Sequence, residues 1–431
     1  MLKINPQAEE LNRMIQNDNP AVFELLSEKG RAAYFPKKGI IKQSAEARGK
    51  AINATIGMAI EDDGSPMRLP SIEEKINLDP KEVFPYASSY GKPELRQAWQ
   101  KHIYKKNPSL QTKISLPITT NALTHGLSLA GFLFVNPDDK VLVTDKFWGN
   151  YRLIFENAHG GTLHPFNTFT EDGFDLSALR KVLADNPGKQ ILLLNFPNNP
   201  AGYTPTEAEI EEISAILLKN AQQGNKTAVL IDDAYFGLVF QEGVYKESIF
   251  ARLADLHENI LAVKIDGATK EDYVWGLRVG FLTYATRGIT EATCNALEEK
   301  TGGTVRGNIS NASHLSQSLV LTALNSSSYA EEKKAKYYLM KSRFEKVRDI
   351  LKSNQEKYSP YFKPLPYNSG YFMCIELNAS LDAETLRQTL LAKYDTGLIA
   401  VGNMLRIAYS SVSADKLPIL FGNIYKACQN D

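Results

Sequence analysis

Five short apolar runs in the middle of the chain predict buried strands. The residues of each run are apolar at successive rather than alternate positions, which is typical of strands whose sheet is covered by helices on both faces. Helix-like segments separate the runs between about residues 95 and 290, and this alternation predicts an α/β domain with a mostly parallel sheet. The runs are Val141–Thr144, Ile191–Leu194, Ala228–Ile231, Leu261–Val263 and Val279–Leu282.

The pattern differs on both sides of this region. Residues 1–45 are polar and helix-prone, with a break around Phe35–Gly39. Beyond about residue 310, a long helical stretch from His314 precedes two strand-like segments, which a helix separates. This arrangement predicts a second, smaller α+β domain. Its strand-like segments are Gly370–Leu377 and Met404–Ala408.

The chain is too long for one simple core, so we divide its 431 residues into three parts. We expect residues 1–65 to form an N-terminal arm and part of the small domain, residues 66–315 the large domain, and residues 316–431 the small C-terminal domain. Ligands of open α/β sheets bind beyond the carboxyl ends of the strands. Candidate site residues are therefore sought where the apolar runs end.

Composition narrows the class of protein. The 49 basic and 49 acidic residues cancel, so neither nucleic acid nor an anionic membrane surface is favoured as a partner. The three cysteines are far apart and the six histidines lack metal-ligand spacing, which argues against a disulfide framework and a zinc enzyme. No apolar run is long enough to span a bilayer, and the polar start does not resemble a signal peptide. We therefore expect a cytoplasmic protein that binds no metal.

Polar residues with distinct chemistry follow three of the runs. The amide-rich loop Asn195–Gly202 follows the run that ends at Leu194, and Asp232–Tyr235 follows the run that ends at Ile231. Lys270 comes shortly after the run that ends at Val263, and Arg278 stands eight residues further on. A carboxylate, a phenol, a lysine, an arginine and an amide are thus expected at one edge of the sheet.

Pyridoxal phosphate (PLP) chemistry requires such a set. A lysine forms a Schiff base with the cofactor, and a carboxylate keeps its pyridine nitrogen protonated, so that the ring acts as an electron sink. A hydrogen-bond donor is needed at the phenolate oxygen, and an arginine and a helix start hold the phosphate. The helix start has a candidate in Asn121, whose side chain is expected to cap a helix and leave the amides of Leu123 and Thr124 free for an anion.

The motifs Asn-x-Pro-Asn-Asn-Pro-x-Gly, Asp-x-Ala-Tyr and Lys with Arg eight residues on resemble the fold-type I, class I PLP-dependent aminotransferases. The resemblance runs in order from about residue 52 to 410, and its details are closest to the aspartate aminotransferase branch. It implies the fold of the type I PLP transferases, with a large mostly parallel domain and a smaller α+β domain. The stretches closest to that branch are Asn53–Gly57, Asp62–Gly64, Leu69–Ser71, Tyr86–Gly91, Glu94–Arg96, Phe147–Asn150 and Arg306 with Ser310–Asn311.

The resemblance implies a role for each residue at the cofactor. Lys270 would form the Schiff base and then move the proton between the substrate Cα and the cofactor. Asp232 would pair with the pyridine nitrogen, and Tyr235 and Asn199 would bind the phenolic oxygen. Trp148 would stack on the ring. The phosphate would be bound by Leu123, Thr124, Arg278 and Tyr86, the last from a neighbouring subunit of a homodimer.

The same resemblance implies the substrate contacts. Arg406 would bind the α-carboxylate, Asn199 would lie beside it, and Gly57 would let a segment close over the substrate. Arg306 of the neighbouring subunit would face a side-chain carboxylate. The expected function is transfer of an amino group between an L-amino acid, with aspartate or glutamate the leading choice, and a 2-oxo acid by a ping-pong mechanism.

Simpler interpretations exist for several of these residues. Lys270 could be a solvated loop lysine, and Trp148 could be a plain core residue. Asp233 competes with its neighbour Asp232 for the same role. Arg306 lies among glycines and serines in an expected loop, where it could be an ordinary surface charge.

The chain departs from the family pattern at four places. Gly267 stands where a hydroxyl residue usually contacts the phosphate, and Thr269 is a candidate substitute. Ala122 occupies a position where serine is common, and Tyr151 replaces a histidine behind Asp232. The segment Glu271–Trp275 is acidic and bulky. These differences indicate a divergent subgroup.

Two other functions remain open at this point. A PLP-dependent lyase or decarboxylase would use the same scaffold, because the outcome depends on which bond at Cα lies perpendicular to the ring. A non-catalytic regulator would need a DNA-binding domain ahead of the enzyme-like part. Only about 50 residues precede the first matching segment, and no basic recognition helix is evident among them.

Overall fold

The computed structural model describes residues 4–36, 39–171 and 173–429. The break expected at Phe35–Gly39 therefore falls partly on residues 37 and 38, which lie outside the described residues. The strands are β1 Ile52–Asn53, β2 Ile118–Asn121, β3 Lys140–Thr144, β4 Thr162–Phe166, β5 Lys189–Asn195, β6 Lys226–Asp232, β7 Ile260–Asp266, β8 Val279–Ala285, β9 Phe362–Pro364, β10 Met373–Leu377, β11 Thr396–Gly397, β12 Ile399–Val401 and β13 Met404–Ile407.

Helices precede, separate and follow these strands. They are α1 Pro6–Asp18, α2 Pro20–Leu25, α3 Glu28–Ala32, α4 Ile40–Glu46, α5 Pro70–Glu73, α6 Pro93–Lys106, α7 Ala122–Phe134, α8 Leu176–Ala184, α9 Glu207–Gln222, α10 Ile249–Leu253, α11 Ala268–Glu271, α12 Glu291–Asn308, α13 His314–Leu324, α14 Tyr329–Ser353, α15 Gln355–Tyr358, α16 Ala383–Lys393 and α17 Leu417–Cys428. A π-helix spans Arg152–Ala158, and short 3₁₀ turns span Pro80–Glu82 and Tyr409–Ser411.

A seven-stranded sheet in the order β2-β8-β7-β6-β5-β3-β4 forms the centre of the large domain. Its strands are parallel except for β8, which is antiparallel to both β2 and β7. The five apolar runs correspond to β3, β5, β6, β7 and β8, which confirms the predicted α/β fold with a mostly parallel sheet. Their interior positions are buried because α7 packs across β6, β7 and β8, while other helices cover the remainder.

A smaller antiparallel sheet in the order β12-β13-β10-β9 forms the C-terminal region. α16 packs against β12 and β13, and the long helix α14 packs against α17. A separate parallel pair joins β1 to β11, so residues near the start of the chain are hydrogen-bonded to this region. The domain boundaries at residues 65 and 315 stay a prediction. The pairing of β1 with β11 supports the part of it that assigns residues before 65 to the small domain.

Three local expectations are wrong. The side chain of Asn121 makes no capping hydrogen bond, although the residue does precede the first turn of α7. Arg306 lies in the last turn of α12, not in a loop, because Glu291–Asn308 forms one continuous helix through Gly302 and Gly303. The helical stretch from His314 is two helices, α13 and α14, since the chain turns at Asn325–Ser328.

Candidate active site

A cavity of about 420 Å³ lies at the carboxyl ends of β5, β6 and β7, where the sequence predicts a site. Other parts of its wall come from α4, the segment after β1, the start of α7 and β13. Ten of the twelve predicted site residues line it: Gly57, Leu123, Thr124, Trp148, Asn199, Asp232, Tyr235, Lys270, Arg278 and Arg406.

Asp232, the last residue of β6, is the buried carboxylate of the cavity, with 3% of its surface exposed. The backbone N–H of Ala234 donates to its Oδ1 at 3.1 Å, and the hydroxyl of Tyr151 donates to its Oδ2 at 2.6 Å. Burial raises the pKa of Asp232, against the opposing effects of Tyr151 and Lys270. Tyr151 thus takes the place of the histidine that the resemblance leads one to expect behind this carboxylate.

Asp233 does not line the cavity. Its carboxylate contacts the ammonium group of Lys264 and accepts a hydrogen bond of 2.6 Å from Ser248 Oγ. Since successive residues at the end of a strand point to opposite sides, Asp232 alone of the pair is directed at the cavity.

Lys270 lies in α11, four residues after the end of β7. Its Nζ lies 5.0 Å from the centroid of the Tyr235 ring. Burial lowers the pKa of Lys270 to about 8, with Asp232 opposing this effect and Arg278 adding to it. An amine with this pKa is partly neutral near neutral pH, and the neutral form is the nucleophile.

Tyr235 and Asn199 accompany Lys270 at the site. Both residues line the cavity, and burial raises the pKa of the Tyr235 phenol, so that it remains a donor at neutral pH. Asn195 Oδ1 accepts a hydrogen bond of 2.8 Å from the Asn199 N–H, and Asn195 Nδ2 donates to the Asp232 carbonyl oxygen at 2.8 Å. The amide-rich loop is therefore fixed directly to the end of β6.

Arg406 is a buried cation on β13, with 5% of its surface exposed. Its guanidinium donates to Asn199 Oδ1 at 3.4 Å and to the Thr55 carbonyl oxygen at 3.1 Å, and it lies 4.3 Å from the centroid of the Phe372 ring. Its Nε is buried without a hydrogen-bond partner among the described residues. Because a buried donor without an acceptor is unfavourable, this group is suited to an anionic ligand.

The start of α7 and the residues that follow Gly267 in α11 also line the cavity. Ala122, with φ of 62°, connects β2 to α7, and the first-turn residues Leu123 and Thr124 line the wall. The N–H groups of a first helical turn lack intrahelical partners and attract anions. Arg278 lines the same cavity and donates to the Trp275 carbonyl oxygen at 3.2 Å.

Gly267 has a steric reason to lack a hydroxyl side chain. A Cβ at this position would lie 2.6 Å from Gly280 Cα and 2.6 Å from the Val279 carbonyl oxygen, so β8 leaves no room for one. Thr269 lines the cavity. Its hydroxyl donates a hydrogen bond to the Val279 carbonyl oxygen at 3.3 Å. A role for Thr269 at the phosphate stays a prediction.

Trp148 is a partly buried residue of the cavity wall. Its ring meets the Tyr151 ring edge-on, with centroids 5.7 Å apart and planes at 85°. Stacking on a cofactor ring stays a prediction for this indole.

Two predicted residues do not line the cavity. Tyr86 is 92% exposed, and Arg306 is exposed on α12. Both were expected to act on the site of a neighbouring subunit, and that expectation stays a prediction.

Several residues of the wall were missed by sequence reasoning. The resemblance included Gly57 and the apolar pattern predicted the strand-like segment Gly370–Leu377, and Ile56 and Phe372 of these two segments are in the wall. Ile40 and Ser44 of α4 had no signal in the sequence, since short polar helices resemble any solvated segment.

The residues present fit PLP. The cavity brings together an amine, an ionisable carboxylate, a phenol, an amide, a helix start and two guanidinium groups, those of Arg278 and the incompletely bonded Arg406. Each polar group of the cofactor and of an amino acid substrate thus has a partner of suitable chemistry.

Comparison with known proteins gives the same assignment. The profile of the family described as aminotransferase class I and II matches residues 59–424. The probable N-acetyl-LL-diaminopimelate aminotransferase of Bacillus subtilis (strain 168) is 29% identical over 56% of each chain, and the mitochondrial aspartate aminotransferase of Schizosaccharomyces pombe is 25% identical over 72% of this chain and 70% of its own. The chain thus spans about half the length of several curated relatives that it matches, the Bacillus subtilis protein among them.

Solved structures show a similar fold. An aminotransferase from Anaerococcus prevotii has a TM-score of 0.82 at 22% identity and covers 93% of this chain and 98% of its own. The cytoplasmic aspartate aminotransferase of Saccharomyces cerevisiae has a TM-score of 0.75 at 20% identity, and the match covers 92% of this chain and 98% of its own.

Proposed function

Because the chain belongs to the class I and II aminotransferase family, whose cofactor is PLP, we propose that it is a PLP-dependent aminotransferase. It would move an amino group between an L-amino acid and a 2-oxo acid by a ping-pong mechanism. The observation that carries this proposal is the pair Lys270 and Asp232, an amine with a lowered pKa and a buried carboxylate that face one cavity.

The cofactor, when bound, supplies an electron sink for the pair of electrons left when a proton leaves the substrate Cα. Lys270 is the group that holds or releases this proton, because its pKa of about 8 leaves both protonation states populated near neutral pH. Asp232, with both oxygens already oriented by Tyr151 and Ala234, keeps a cation at the ring nitrogen.

Arg406 binds the substrate α-carboxylate. Its planar guanidinium can donate two parallel hydrogen bonds to a carboxylate, and its Nε has no other partner among the described residues. The Asn199 amide accepts from Arg406 and shares the cavity wall with Tyr235, so it would link the group that binds the substrate to the group that binds the cofactor.

Aspartate or glutamate is the proposed amino acid. Arg306 would supply the second carboxylate-binding cation from the neighbouring subunit of a homodimer, and Tyr86 would reach the phosphate there. The support is that both residues are exposed and that large apolar side chains near Tyr86 in the sequence, Ile76 and Phe84, are exposed as well. Curated relatives from Sulfurisphaera tokodaii and Thermotoga maritima are named aspartate aminotransferases.

Nothing in these comparisons supports a lyase or decarboxylase, since the relatives and structures reported above are all named aminotransferases. No helix among the described residues has the length and apolar character that crossing a membrane requires. The cytoplasm is the proposed location, and the buried Cys294, Cys374 and Cys428, which form no disulfide with one another, fit a reducing compartment.

Incubation of the purified protein with PLP and one amino acid at a time tests the proposal. We expect L-aspartate or L-glutamate to give one equivalent of 2-oxo acid per site, and added 2-oxoglutarate to make the reaction with L-aspartate catalytic. Borohydride reduction beforehand is expected to add the cofactor mass to the peptide that contains Lys270. Catalytic release of carbon dioxide or ammonia, or labelling of another lysine, would contradict the proposal.

A further inference from the structure

Seven charged side chains of alternating sign form a continuous chain behind the cavity, and none of them has a role in the proposed function. We call this set the charge chain. In spatial order it consists of Asp233, Lys264, Asp266, Lys106, Glu271, Lys333 and Asp272.

The first half of the charge chain comes from β7 and from the residue that follows β6. The Lys264 ammonium group contacts the Asp233 carboxylate and lies 3.5 Å from Asp266 Oδ2, and none of these three side chains is more than 2% exposed. The indole N–H of Trp99 donates to Asp266 at 3.1 Å, and Lys106 Nζ lies 4.0 Å from Asp266 Oδ2.

The second half connects three helices. Lys106, the last residue of α6, lies 2.8 Å from Glu271 Oε2 in α11. Lys333 of α14 lies 2.9 Å from Glu271 and 3.0 Å from Asp272. The hydroxyl of Tyr329 donates to Asp272 at 2.6 Å, which completes the end of the charge chain.

Two members of the charge chain are direct sequence neighbours of the two residues that carry the proposed chemistry. Asp233 directly follows Asp232, and Glu271 directly follows Lys270. Opposite charges in a buried region attract strongly, whereas a single buried charge is unfavourable by several kcal/mol. A displacement of α11 would separate Glu271 from two ammonium groups at once, so the charge chain resists any such displacement.

We propose that Lys333 is a positioning residue, whose ammonium group holds Glu271 and Asp272 and thereby fixes the amine of Lys270 relative to Asp232. This proposal rests on the proposed function, because it takes Lys270 as the residue that joins the cofactor. A second tether supports it, since the Tyr371 hydroxyl donates to the Lys270 carbonyl oxygen at 3.1 Å.

The charge chain also contributes to the electrostatic potential around α11. Its four carboxylates and three ammonium groups give a net charge of −1. His102 lies 3.3 Å from Glu271, but burial lowers its pKa, so it adds no charge at neutral pH. Loss of the Lys333 charge makes the set −2, which favours a proton on Lys270, whereas loss of the Glu271 charge makes it neutral and disfavours that proton.

Other groups facing Lys270 do not change between these variants. They are the Asp232 carboxylate, the Arg278 guanidinium and the Tyr235 ring. A shift in the proton affinity of Lys270 between variants therefore reports on the charge chain.

The test measures the rate at which the cofactor-free protein captures added PLP, followed by absorbance between pH 6 and 10. Lys333→Met is expected to move the midpoint of this pH profile upward by about half a unit, and Glu271→Gln to move it downward by a similar amount. The double variant is expected to lie close to the wild type. Lys334→Met is the matched control, because Lys334 is the exposed neighbour of Lys333 on α14.

Turnover provides a second measurement. We expect Lys333→Met to lower kcat by about tenfold with little change in KM, and Lys333→Arg, which keeps the charge, to restore most of it. A loss of thermal stability alone would not produce opposite pH shifts in two variants.

The outcomes separate this proposal from the proposed function. If folded Lys333→Met and Glu271→Gln share the wild-type midpoint, the charge chain supports the fold only and the positioning role is wrong. If Lys333→Met does not fold, the positioning role is tested by the pH midpoint of Glu271→Gln, which should move downward, and by kcat of Lys333→Arg, which should stay near the wild-type value. If the wild type never captures PLP on Lys270, the proposed function fails before any variant is compared.

Discussion

At the scale of single residues, the site depends on charged groups that burial has modified. Arg406 is a guanidinium with few partners, Lys270 is an amine with a lowered pKa, and Asp232 is a carboxylate with a raised pKa. Each of these states is unfavourable for the protein alone and is relieved by a ligand of opposite charge or by a covalent partner.

Arg406→Gln is expected to lower kcat/KM for the amino acid about 100-fold, which corresponds to the ~3 kcal/mol of hydrogen bonds to a charged group. The measurement is steady-state kinetics with aspartate and 2-oxoglutarate. Arg406→Lys keeps the charge without the planar pair of donors and should recover only part of the loss. An unchanged kcat/KM in the Gln variant would remove Arg406 from the substrate site.

Capture of PLP by the cofactor-free protein should become about fivefold faster between pH 7 and pH 8 and level off above about pH 9. The reason is that only the neutral amine of Lys270 attacks an aldehyde, and with a pKa of about 8 its neutral fraction rises steeply in this interval. Stopped-flow absorbance measures the rate. A rate that does not change with pH in this range would show that a different group limits capture.

At the scale of elements, the cofactor end of the cavity is built by close contact between backbone segments. The junction between β7 and α11 passes so near β8 that Gly267 has no space for a side chain, and the same is true of Gly280 against Ala122. The family's usual hydroxyl residue is therefore excluded here by packing.

Gly267→Ser is expected to destabilise the protein by about 2–4 kcal/mol and to weaken cofactor binding, because the new Cβ would push β8 away from α11. Thermal unfolding with and without PLP provides the measurement. Gly422→Ser is the control, since a Cβ at Gly422 on α17 meets nothing within 4 Å. Tighter cofactor binding by the Gly267 variant would show instead that a missing phosphate ligand had been restored.

At the scale of the whole molecule, the proposed homodimer places Arg306 of one copy at the cavity of the other. Two inactive variants, Lys270→Ala and Arg306→Ala, then complement each other, because a mixed dimer contains one site with both residues intact. Random mixing should restore about a quarter of wild-type aspartate turnover, as half of the dimers are mixed and each has one working site.

The measurement is activity after the two variants are unfolded and refolded together, with each variant refolded alone as the control. Absence of recovery while the proteins are dimeric by light scattering would place Arg306 outside the neighbouring site. A monomeric wild type would remove the interface itself.

Sequence reasoning anticipated the central strands and most of the cavity wall, because apolar runs mark buried strands and the residues after them must lie at one sheet edge. It failed where the local conformation or the position of a segment depends on packing against residues far away in the sequence. The expected loop at Arg306 is the last turn of a helix, and α4 lines the cavity without any distinguishing pattern.

The sequence by itself determined which residues follow each strand, and so which amine, carboxylate and guanidinium could meet. Covalent order is enough for this, since parallel strands bring their carboxyl ends to the same edge. Only the tertiary structure decided that Asp232 faces the cavity while Asp233 joins the charge chain, and that Lys333 contacts Glu271. Those outcomes depend on side-chain direction and on contacts between residues far apart in the chain, which local sequence does not encode.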